Sequence, residues 1–328
     1  MRYRRLGKTG MEISEVSLGT WQVGGKWGEL FNDDNADVIL NTAIDAGINF
    51  IDTADVYGQG MSETAIGRVL KLRNEPVFVA TKCGRKLTPH RNQSYTPEAL
   101  RTFVEESLQR LQLETLDLIQ LHCPPHEVYD RPEIFGVFDR LKEEGKIRNM
   151  GVSVETVDEA MKAIEYPNVT TIQIIFNMFR LKPAEQFFEA AKQKDVGVIV
   201  RVPLASGLLS GKFSKDTKFL KHDHRYFNRR GMVFDKGETF SGVDYETGLE
   251  AVEKLRKLFP DHENLAPIAL RWILMFCEVS CVIPGASNAK QLGSNLKALE
   301  LKSLSEDQMN GVKAIYDEMI KESVHPLW

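Results

Sequence analysis

Four residues have side chains that are suited to proton transfer: Asp52, Tyr57, Lys82 and His122. A phenol is a weak acid with a pKa of about 10, and a neighbouring ammonium group favours its ionised form. A carboxylate can in turn hold the ammonium group charged and oriented. A phenol beside such a lysine, with an imidazole across the pocket, is typical of general acid–base chemistry, which is worth roughly 10²–10⁴-fold in rate.

Each of these residues lies at or just beyond the C-terminal end of an apolar, strand-like segment. The segments cover residues 47–52, 77–82 and 116–122, and Tyr57 follows the first of them. Taken singly, Tyr57 could be a packing residue and Lys82 a solvated loop residue. His122 could equally be a hydrogen-bonded core histidine, and Asp52 a turn or cap residue. Their common placement at strand ends, in this order, favours a shared catalytic role.

The elements that must position these residues alternate between short apolar strands and longer amphipathic segments. This pattern predicts parallel βαβ units. The predicted strands cover residues 16–19, 47–52, 77–81, 116–122, 147–152, 171–176, 196–202 and 279–284. The predicted helices cover 35–46, 62–72, a segment opening at 96–98, one closing near 145, 156–164, one beginning at 183, and 288–299, with Ser62 as an N-cap.

Eight strand–helix repeats in one chain predict an α/β fold of the (β/α)8 TIM-barrel type, a single domain over residues 1–328. Residues 2–14 predict an N-terminal β-hairpin that closes the N-terminal mouth of the barrel. Residues 205–245 predict a long loop after the seventh strand, over the C-terminal face. The alternative is a doubly wound open sheet, which usually carries a G-x-G-x-x-G turn. That motif is absent, because Glu63 stands where its third glycine belongs.

The bulk composition excludes several classes of protein. A net charge of -4 over 328 residues gives no electrostatic case for nucleic acid or an anionic membrane as a partner. No apolar run reaches 18 residues, and the N-terminus lacks the apolar core of a signal peptide. Four cysteines without a paired C-x-x-C spacing are typical of a reducing, cytoplasmic compartment, and no metal site is expected. We expect a monomer or a weak homo-oligomer.

Several motifs occur in order on successive predicted strands. They cover residues 52–58, 81–82, 121–122, 151–153, 173–177, 203–212 and 283–287. In these motifs, and over nearly its whole length, the chain resembles an aldo-keto reductase. It is most similar to the bacterial branch with an extended loop after the seventh strand and a Val-His-Pro-Leu-Trp type of terminus, here residues 324–328.

The resemblance implies reduction of a small carbonyl substrate by hydride transfer from NADPH, with Tyr57 as the general acid. Lys82 would lower the pKa of the Tyr57 phenol, Asp52 would hold Lys82, and His122 would orient the substrate carbonyl. Two alternatives remain open within the family. One is a regulatory subunit that binds the cofactor, and the other is a dehydrogenase that oxidises a polyol.

The resemblance also implies a binding site for the cofactor. Ser153 and Gln173 would contact the nicotinamide carboxamide, and residues 204–212 would wrap the pyrophosphate. The adenosine end would lie at the N-terminus of the last barrel helix, which is a favourable anion site. The residues expected to bind the cofactor are Gly19, Thr20, Trp21, Ser153, Gln173, Arg201, Pro203, Leu204, Ser206, Gly207, Leu209, Gly211, Lys212, Gly285, Ser287, Gln291 and Asn295. Each glycine could instead serve a tight turn.

Three positions depart from the family pattern. Arg201 replaces the aromatic residue that commonly stacks on the nicotinamide, and we hypothesise that it reaches a phosphate or a substrate carboxylate instead. Val154 replaces an asparagine, so support for the carboxamide is weaker. Gln291 stands where some relatives have an arginine for the 2′-phosphate, a role that Lys290 or Ser287 could take.

The substrate pocket is expected to be apolar. Trp21, Trp27, Phe31 and the terminal Trp328 are its candidate lining residues, although each could be ordinary packing. Small aldehydes or α-dicarbonyls are the expected substrates.

Overall fold

The computed structural model describes residues 1–25 and 30–328 of the chain. Within these ranges it contains ten strands, numbered along the chain. They are β1 Tyr3–Arg5, β2 Glu12–Ser14, β3 Leu18–Gly19, β4 Phe50–Asp52, β5 Phe78–Cys83, β6 Leu116–His122, β7 Ile147–Ser153, β8 Val169–Ile175, β9 Gly197–Arg201 and β10 Val279–Val282. The predicted barrel strands correspond to β3 to β10.

The eight strands β3 to β10 form one parallel sheet in which each strand pairs with the next along the chain. The two edges meet through parallel bridges from Val16 to Val282 and from Gly19 to Gly285. The sheet therefore closes on itself, and the predicted (β/α)8 barrel is confirmed. The doubly wound open sheet is excluded because an open sheet would leave both edge strands unpaired.

The helices of the described residues surround this barrel. They are α1 Asp33–Asp45, α2 Met61–Leu70, α3 Pro97–Leu111, α4 Pro132–Glu143, α5 Val157–Ala163, α6 Phe187–Gln193, α7 His224–Phe227, α8 Tyr245–Leu258, α9 Ala266–Ile273, α10 Ala289–Leu296, α11 Glu306–Met319 and α12 Lys321–Val324. Among the described residues, every helix is too short or too polar to span a lipid bilayer.

Local signals set most of the helix starts. The Thr96 side chain accepts a hydrogen bond from the Ala99 amide, and Pro97 is the first helical residue of α3, as predicted. Thr156 and Glu159 form a reciprocal capping box at α5. The predicted N-cap of α2 is wrong. Ser62 lies inside that helix, where its buried hydroxyl donates to Thr20 Oγ1.

The lower half of the barrel interior is apolar. It is formed by alternate residues of the strands, because successive strand side chains point to opposite faces. The cluster comprises Phe50, Ala80, Leu118, Ile199, Cys281 and Ile283, with Leu6, Met11 and Ile13 of the N-terminal hairpin. The antiparallel hairpin β1–β2 therefore packs into the N-terminal mouth of the barrel, as expected.

Two residues further along the same strands, the interior becomes polar. Asp52 follows Phe50 on β4, Lys82 follows Ala80 on β5, and Gln120 follows Leu118 on β6. All three side chains are buried. The strand alternation that fills the lower barrel with apolar side chains thus aims a polar layer at its C-terminal face.

The long loop after β9 covers that face. It contains 3₁₀ turns at Ala205–Ser210, Lys236–Glu238 and Phe240–Gly242 and the short helix α7. Its two ends are joined at Ser206, whose hydroxyl donates to the Glu238 carbonyl at 3.0 Å and accepts from the Phe240 amide at 3.1 Å. The predicted loop is therefore confirmed and is held in place by its own hydrogen bonds.

Candidate active site

A cavity of about 1130 Å³ opens at the C-terminal face of the barrel. Its volume slightly exceeds the range of about 300–1,000 Å³ that is usual for small-molecule and cofactor pockets. Asp52, Tyr57 and His122 line its floor, and the long loop together with α10 lines its sides. The four predicted catalytic residues are therefore brought to one place, Lys82 through its contact with Tyr57.

Lys82 is the centre of this group. Its Nζ donates to Asp52 Oδ1 at 2.5 Å, to the Thr53 carbonyl at 2.8 Å and to the Tyr57 hydroxyl at 3.3 Å. The ammonium group also lies 4.9 Å from the centroid of the Tyr57 ring. Lys82 and Asp52 are almost completely buried, so their ion pair is shielded from solvent.

Two amide side chains hold the other oxygen of Asp52. Gln173 Nε2 donates to Asp52 Oδ2 at 2.7 Å, and Gln120 Nε2 donates to the same atom at 3.2 Å. Gln173 was expected to contact a carboxamide of the cofactor, whereas here its amide nitrogen supports the Asp52 carboxylate. Gln120 was not predicted. Its place two residues before His122 on β6 could have indicated an inward orientation.

The pKa of Tyr57 differs from the sequence expectation. Burial raises the pKa of the phenol above its ordinary value, and Lys82 opposes that increase without overcoming it. Burial also disfavours the charged form of Lys82, but Asp52 and Tyr57 outweigh it and raise the Lys82 pKa. The Tyr57 pKa was expected to fall below its ordinary value, and this expectation is wrong because the net shift is upward. The site pairs a protonated phenol with a charged ammonium group.

His122 faces Tyr57 edge-on, with ring centroids 6.1 Å apart and an interplanar angle of 83°. Burial lowers the pKa of His122 well below its ordinary value, and the nearby cations Arg85, Lys82 and Arg201 lower it further. The imidazole is therefore neutral at neutral pH. Its Nδ1 has no hydrogen-bond partner among the described residues.

Most residues that were predicted to bind a cofactor line this cavity. Those that do are Gly19, Thr20, Trp21, Gln173, Arg201, Pro203, Leu204, Ser206, Gly207, Lys212, Gly285, Gln291 and Asn295. Ser153, Leu209, Gly211 and Ser287 do not line it. Ser153 Oγ lies 3.6 Å from Cys123 Sγ, and the Ser287 hydroxyl donates to Gln291 Oε1 at 3.0 Å.

Arg201 has partners that the sequence did not predict. Its Nη2 donates to Glu155 Oε2 at 2.7 Å and to the Val154 carbonyl at 3.0 Å. Its Nη1 lies 3.9 Å from Glu238 Oε1, and Glu238 also pairs with Arg85 at 2.9 Å. Arg85, Glu155 and Glu238 were not predicted, because they belong to no sequence motif and come together only in the folded chain.

The aromatic candidates for the pocket fall in different places. Trp21 lines the cavity, together with Phe234, which was not predicted. Trp328 lies elsewhere, against Arg180, and its indole donates to Asp235 at 2.9 Å. Phe31 does not line the cavity but packs beside Gly58, next to Tyr57. Trp27 lies outside the described residues.

The family follows from the comparison with known proteins. The model of the Aldo/keto reductase family matches residues 15–317. The chain belongs to this family. Aldo-keto reductases are oxidoreductases that act on the carbonyl or alcohol groups of small molecules with a nicotinamide cofactor.

The names of the relatives of this aldo-keto reductase state different activities. The aldo-keto reductase YhdN of Bacillus subtilis is 30% identical, over 99% of this chain and 97% of that one. The NADH-specific methylglyoxal reductase of Escherichia coli is 29% identical, over 90% and 93%. The solved structure of a glycerol dehydrogenase from Gluconobacter oxydans superposes with a TM-score of 0.80, at 31% identity, over 99% and 98% of the two chains.

The cavity of this aldo-keto reductase suits an elongated anionic cofactor. Lys212, Lys290 and Lys297 line it, and so do Asn288 and Gln291 at the N-terminus of α10. Cations and free amides at a helix N-terminus favour bound phosphate. The residues present therefore fit a nicotinamide dinucleotide.

Proposed function

We propose that this aldo-keto reductase reduces aldehydes or ketones to alcohols with NADPH, with Tyr57 as the general acid. The observation that carries the proposal is the position of Lys82 Nζ, which lies behind the cavity wall between Asp52 and the hydroxyl of Tyr57, both of which line the cavity. Such an ammonium group stabilises the phenolate that forms when the phenol gives up its proton.

Each residue of the site has its own role in the proposed reduction. Hydride for the carbonyl carbon would come from the nicotinamide cofactor when it is bound. Tyr57 donates its proton to the carbonyl oxygen, and its raised pKa keeps it protonated at neutral pH until then. Lys82 stabilises the resulting phenolate, while Asp52 keeps Lys82 charged. The neutral His122 orients the carbonyl oxygen by a hydrogen bond, which places it for proton transfer.

The test is NADPH oxidation over a panel of aldehydes and α-dicarbonyls, with wild type and Tyr57→Phe. We expect Tyr57→Phe to lower kcat by roughly 10²–10⁴-fold, with an NADPH Kd within about twofold of wild type, because only the transferred proton is lost. Tyr95→Phe is the matched control. It removes a buried phenol hydroxyl that bonds His90 and does not line the cavity, and it should retain activity.

Two results would count against the proposal. If Tyr57→Phe kept wild-type kcat, Tyr57 would not be the acid. If wild type bound NADPH but reduced none of the carbonyls, the chain would act as a cofactor-binding regulatory subunit.

The preference for NADPH is supported by the lysines at α10. Gln291 Oε1 already accepts hydrogen bonds from the backbone N–H and the hydroxyl of Ser287. Lys290 and Lys297 in the cavity wall are therefore the candidates to bind a 2′-phosphate. We expect Lys290→Gln to weaken NADPH binding about tenfold and NADH binding much less, because only NADPH carries the extra phosphate. The measurement is kcat/KM and Kd for both cofactors. A wild-type preference for NADH would overturn the proposed preference for NADPH. The Escherichia coli relative is NADH-specific by its name.

A second candidate function is oxidation of a polyol. It is favoured by the charged groups Arg85 and Glu238 at the cavity wall, which can hydrogen-bond hydroxyls, and by the printed name of the Gluconobacter relative. NAD(P)⁺ with glycerol and cyclic polyols is the test. Turnover of these alcohols with a higher kcat/KM than any carbonyl would favour this direction.

We further propose a cytoplasmic, single-domain enzyme that is a monomer or a weak homo-oligomer.

A further inference from the structure

The reactive end of the cavity contains more charge than reduction of a neutral aldehyde requires. Arg85 and Arg201 both line the cavity, and both lower the pKa of His122, so they lie close to the proposed carbonyl site. An apolar pocket was expected from the sequence. Of the aromatic residues expected to line it, Trp21 does so, but this side of the wall is charged and not apolar.

Arg201 is fixed in position but only partly satisfied. Its Nη2 is held by Glu155 and by the Val154 carbonyl, which anchors one end of the guanidinium group. Its buried Nε has no hydrogen-bond partner among the described residues. Its Nη1 lies 3.9 Å from Glu238 Oε1, which is beyond hydrogen-bonding distance. A cation that is both anchored and under-bonded in a cavity wall is a preformed anion site.

The surrounding acids do not cancel this charge. Arg85, Arg201, Glu155 and Glu238 form one group that is joined by ion pairs, and a carboxylate oxygen of Glu155 lies within 4.8 Å of one of Glu238. Burial raises the pKa of Glu155, and Arg201 opposes that increase. With Glu155 protonated and Glu238 ionised, two guanidinium groups face one carboxylate, and the group has an excess of one positive charge. Cys123 lies within reach of both carboxylates, but the two guanidinium groups make the cluster unsuited to a metal cation.

We propose that Arg201, assisted by Arg85, binds an anionic group of the carbonyl substrate, so that the enzyme prefers aldehydes or ketones that carry a carboxylate or a phosphate. The inference rests on the proposed carbonyl reduction at Tyr57. Charge-assisted hydrogen bonds from a guanidinium group are about twice as strong as neutral ones. The anion would therefore set which carbonyl compounds reach Tyr57 in a productive orientation.

The first experiment compares matched pairs of substrates. The pairs are 4-oxobutanoate with butanal, for a carboxylate, and glyceraldehyde 3-phosphate with glyceraldehyde, for a phosphate. In wild type we expect kcat/KM for the anionic member of at least one pair to exceed that of its neutral partner by about tenfold or more. The pair with the larger ratio identifies the anionic group. The advantage should shrink at high ionic strength, because salt screens the attraction.

The second experiment changes the charges one at a time. Arg201→Met should lower the ratio of anionic to neutral kcat/KM by tenfold or more, whereas Glu238→Gln should raise it, because it removes a competing carboxylate. Arg180→Met is the matched control. Arg180 is a buried arginine of the same region that donates to the Glu155 carbonyl at 2.6 Å but does not line the cavity, so the ratio should stay at the wild-type value.

A binding measurement distinguishes failure of the anion site from failure of the proposed carbonyl reduction. Calorimetric titration of butanoate and butanamide into the NADPH-loaded enzyme needs no turnover. Preferential binding of butanoate that is lost in Arg201→Met supports the anion site even where no carbonyl is reduced. The anion site is overturned if wild type has equal kcat/KM for the two members of each pair and also binds butanoate and butanamide equally. It is likewise overturned if Arg201→Met lowers kcat/KM by the same factor for both members of a pair. Glu238→Gln keeps the test decisive if Arg201→Met does not fold.

Discussion

At the scale of single residues, the site depends on buried charges that are each matched by a specific partner. Lys82 has Asp52, the Thr53 carbonyl and the Tyr57 hydroxyl, and the other oxygen of Asp52 has two glutamine amides. A buried pair of charges is tolerated only when geometry and additional hydrogen bonds offset the loss of hydration. The same contacts that stabilise the pair also aim the ammonium group at Tyr57.

Breaking this pair should cost stability as well as activity. We expect Lys82→Met to destabilise the protein by about 3–5 kcal/mol, because it leaves the Asp52 carboxylate buried without its cation. The double variant Asp52→Asn with Lys82→Met should recover part of that loss. Urea unfolding of the two single variants and the double variant gives the coupling free energy. Strictly additive losses would show that the two charges do not stabilise each other.

Asp55 should make stability depend on pH. Its two carboxylate oxygens have no hydrogen-bond partner among the described residues, and burial, with Glu63 nearby, raises its pKa to about 7. In the unfolded chain the carboxyl group ionises near its ordinary value, so between pH 4 and 7 the folded state binds more protons. The contribution of Asp55 to the free energy of unfolding therefore falls as the pH rises through this window.

Replacement of this residue by asparagine removes the titrating group. Relative to wild type, Asp55→Asn should gain on the order of 2 kcal/mol in unfolding free energy between pH 5 and pH 8. Urea unfolding of both proteins at the two pH values measures it. A difference between the proteins that is the same at both values would show that the pKa of Asp55 is not raised.

At the scale of elements, the N-terminal hairpin illustrates how a turn is fitted to the barrel. Gly7 and Gly10 both have positive φ, 48° and 79°, so any side chain at either position is strained. Their surroundings differ. A Cβ at Gly7 would lie 2.2 Å from the backbone nitrogen of Gly197 at the start of β9, whereas a Cβ at Gly10 would meet none of the described residues within 4 Å.

These two glycines form a matched pair of variants. Gly10→Ala should cost about 1–2 kcal/mol, from the backbone conformation alone. Gly7→Ala should cost about 1–3 kcal/mol more, because the hairpin must also move away from β9. Denaturant unfolding compares them. Equal losses would mean that the hairpin does not pack against β9 as closely as the structure shows.

At the scale of the whole molecule, the closed barrel is what gathers the site. The seam between β3 and β10 is tight at Gly19, where a Cβ would lie 2.6 Å from the Ile283 carbonyl oxygen. Across the same seam, a Cβ at Gly285 would have its nearest neighbour at 3.7 Å, which is an ordinary contact. Closure therefore depends on the absence of a side chain at Gly19 and not at Gly285.

Alanine at these two positions tests the seam. Gly19→Ala should lower the unfolding free energy by about 1–3 kcal/mol and weaken cofactor binding, because the strands must separate beside the cavity. Gly285→Ala should change the unfolding free energy by no more than about 0.5 kcal/mol. Thermal or urea unfolding together with the NADPH Kd measures both effects. A Gly285→Ala loss as large as that of Gly19→Ala would contradict the tight approach at β3.

Much of this enzyme is determined by the sequence alone, because the relevant signals are local. Alternating strand and helix patterns predict the barrel, and the strand-end motifs identify Asp52, Tyr57, Lys82 and His122. Thr96 and Pro97 mark the start of α3 from their own residue types. These predictions depend on periodicity and on capping within a few residues of the chain.

Only the tertiary structure decides the surroundings of those residues. Gln173 meets Asp52 across 121 positions of sequence, and Arg85 meets Glu238 across 153. Such pairs depend on the path by which the barrel closes and the long loop returns over it. No local pattern encodes that path. The raised pKa of Tyr57 has the same origin, since burial is a property of the folded chain, and so has the charged wall around Arg201.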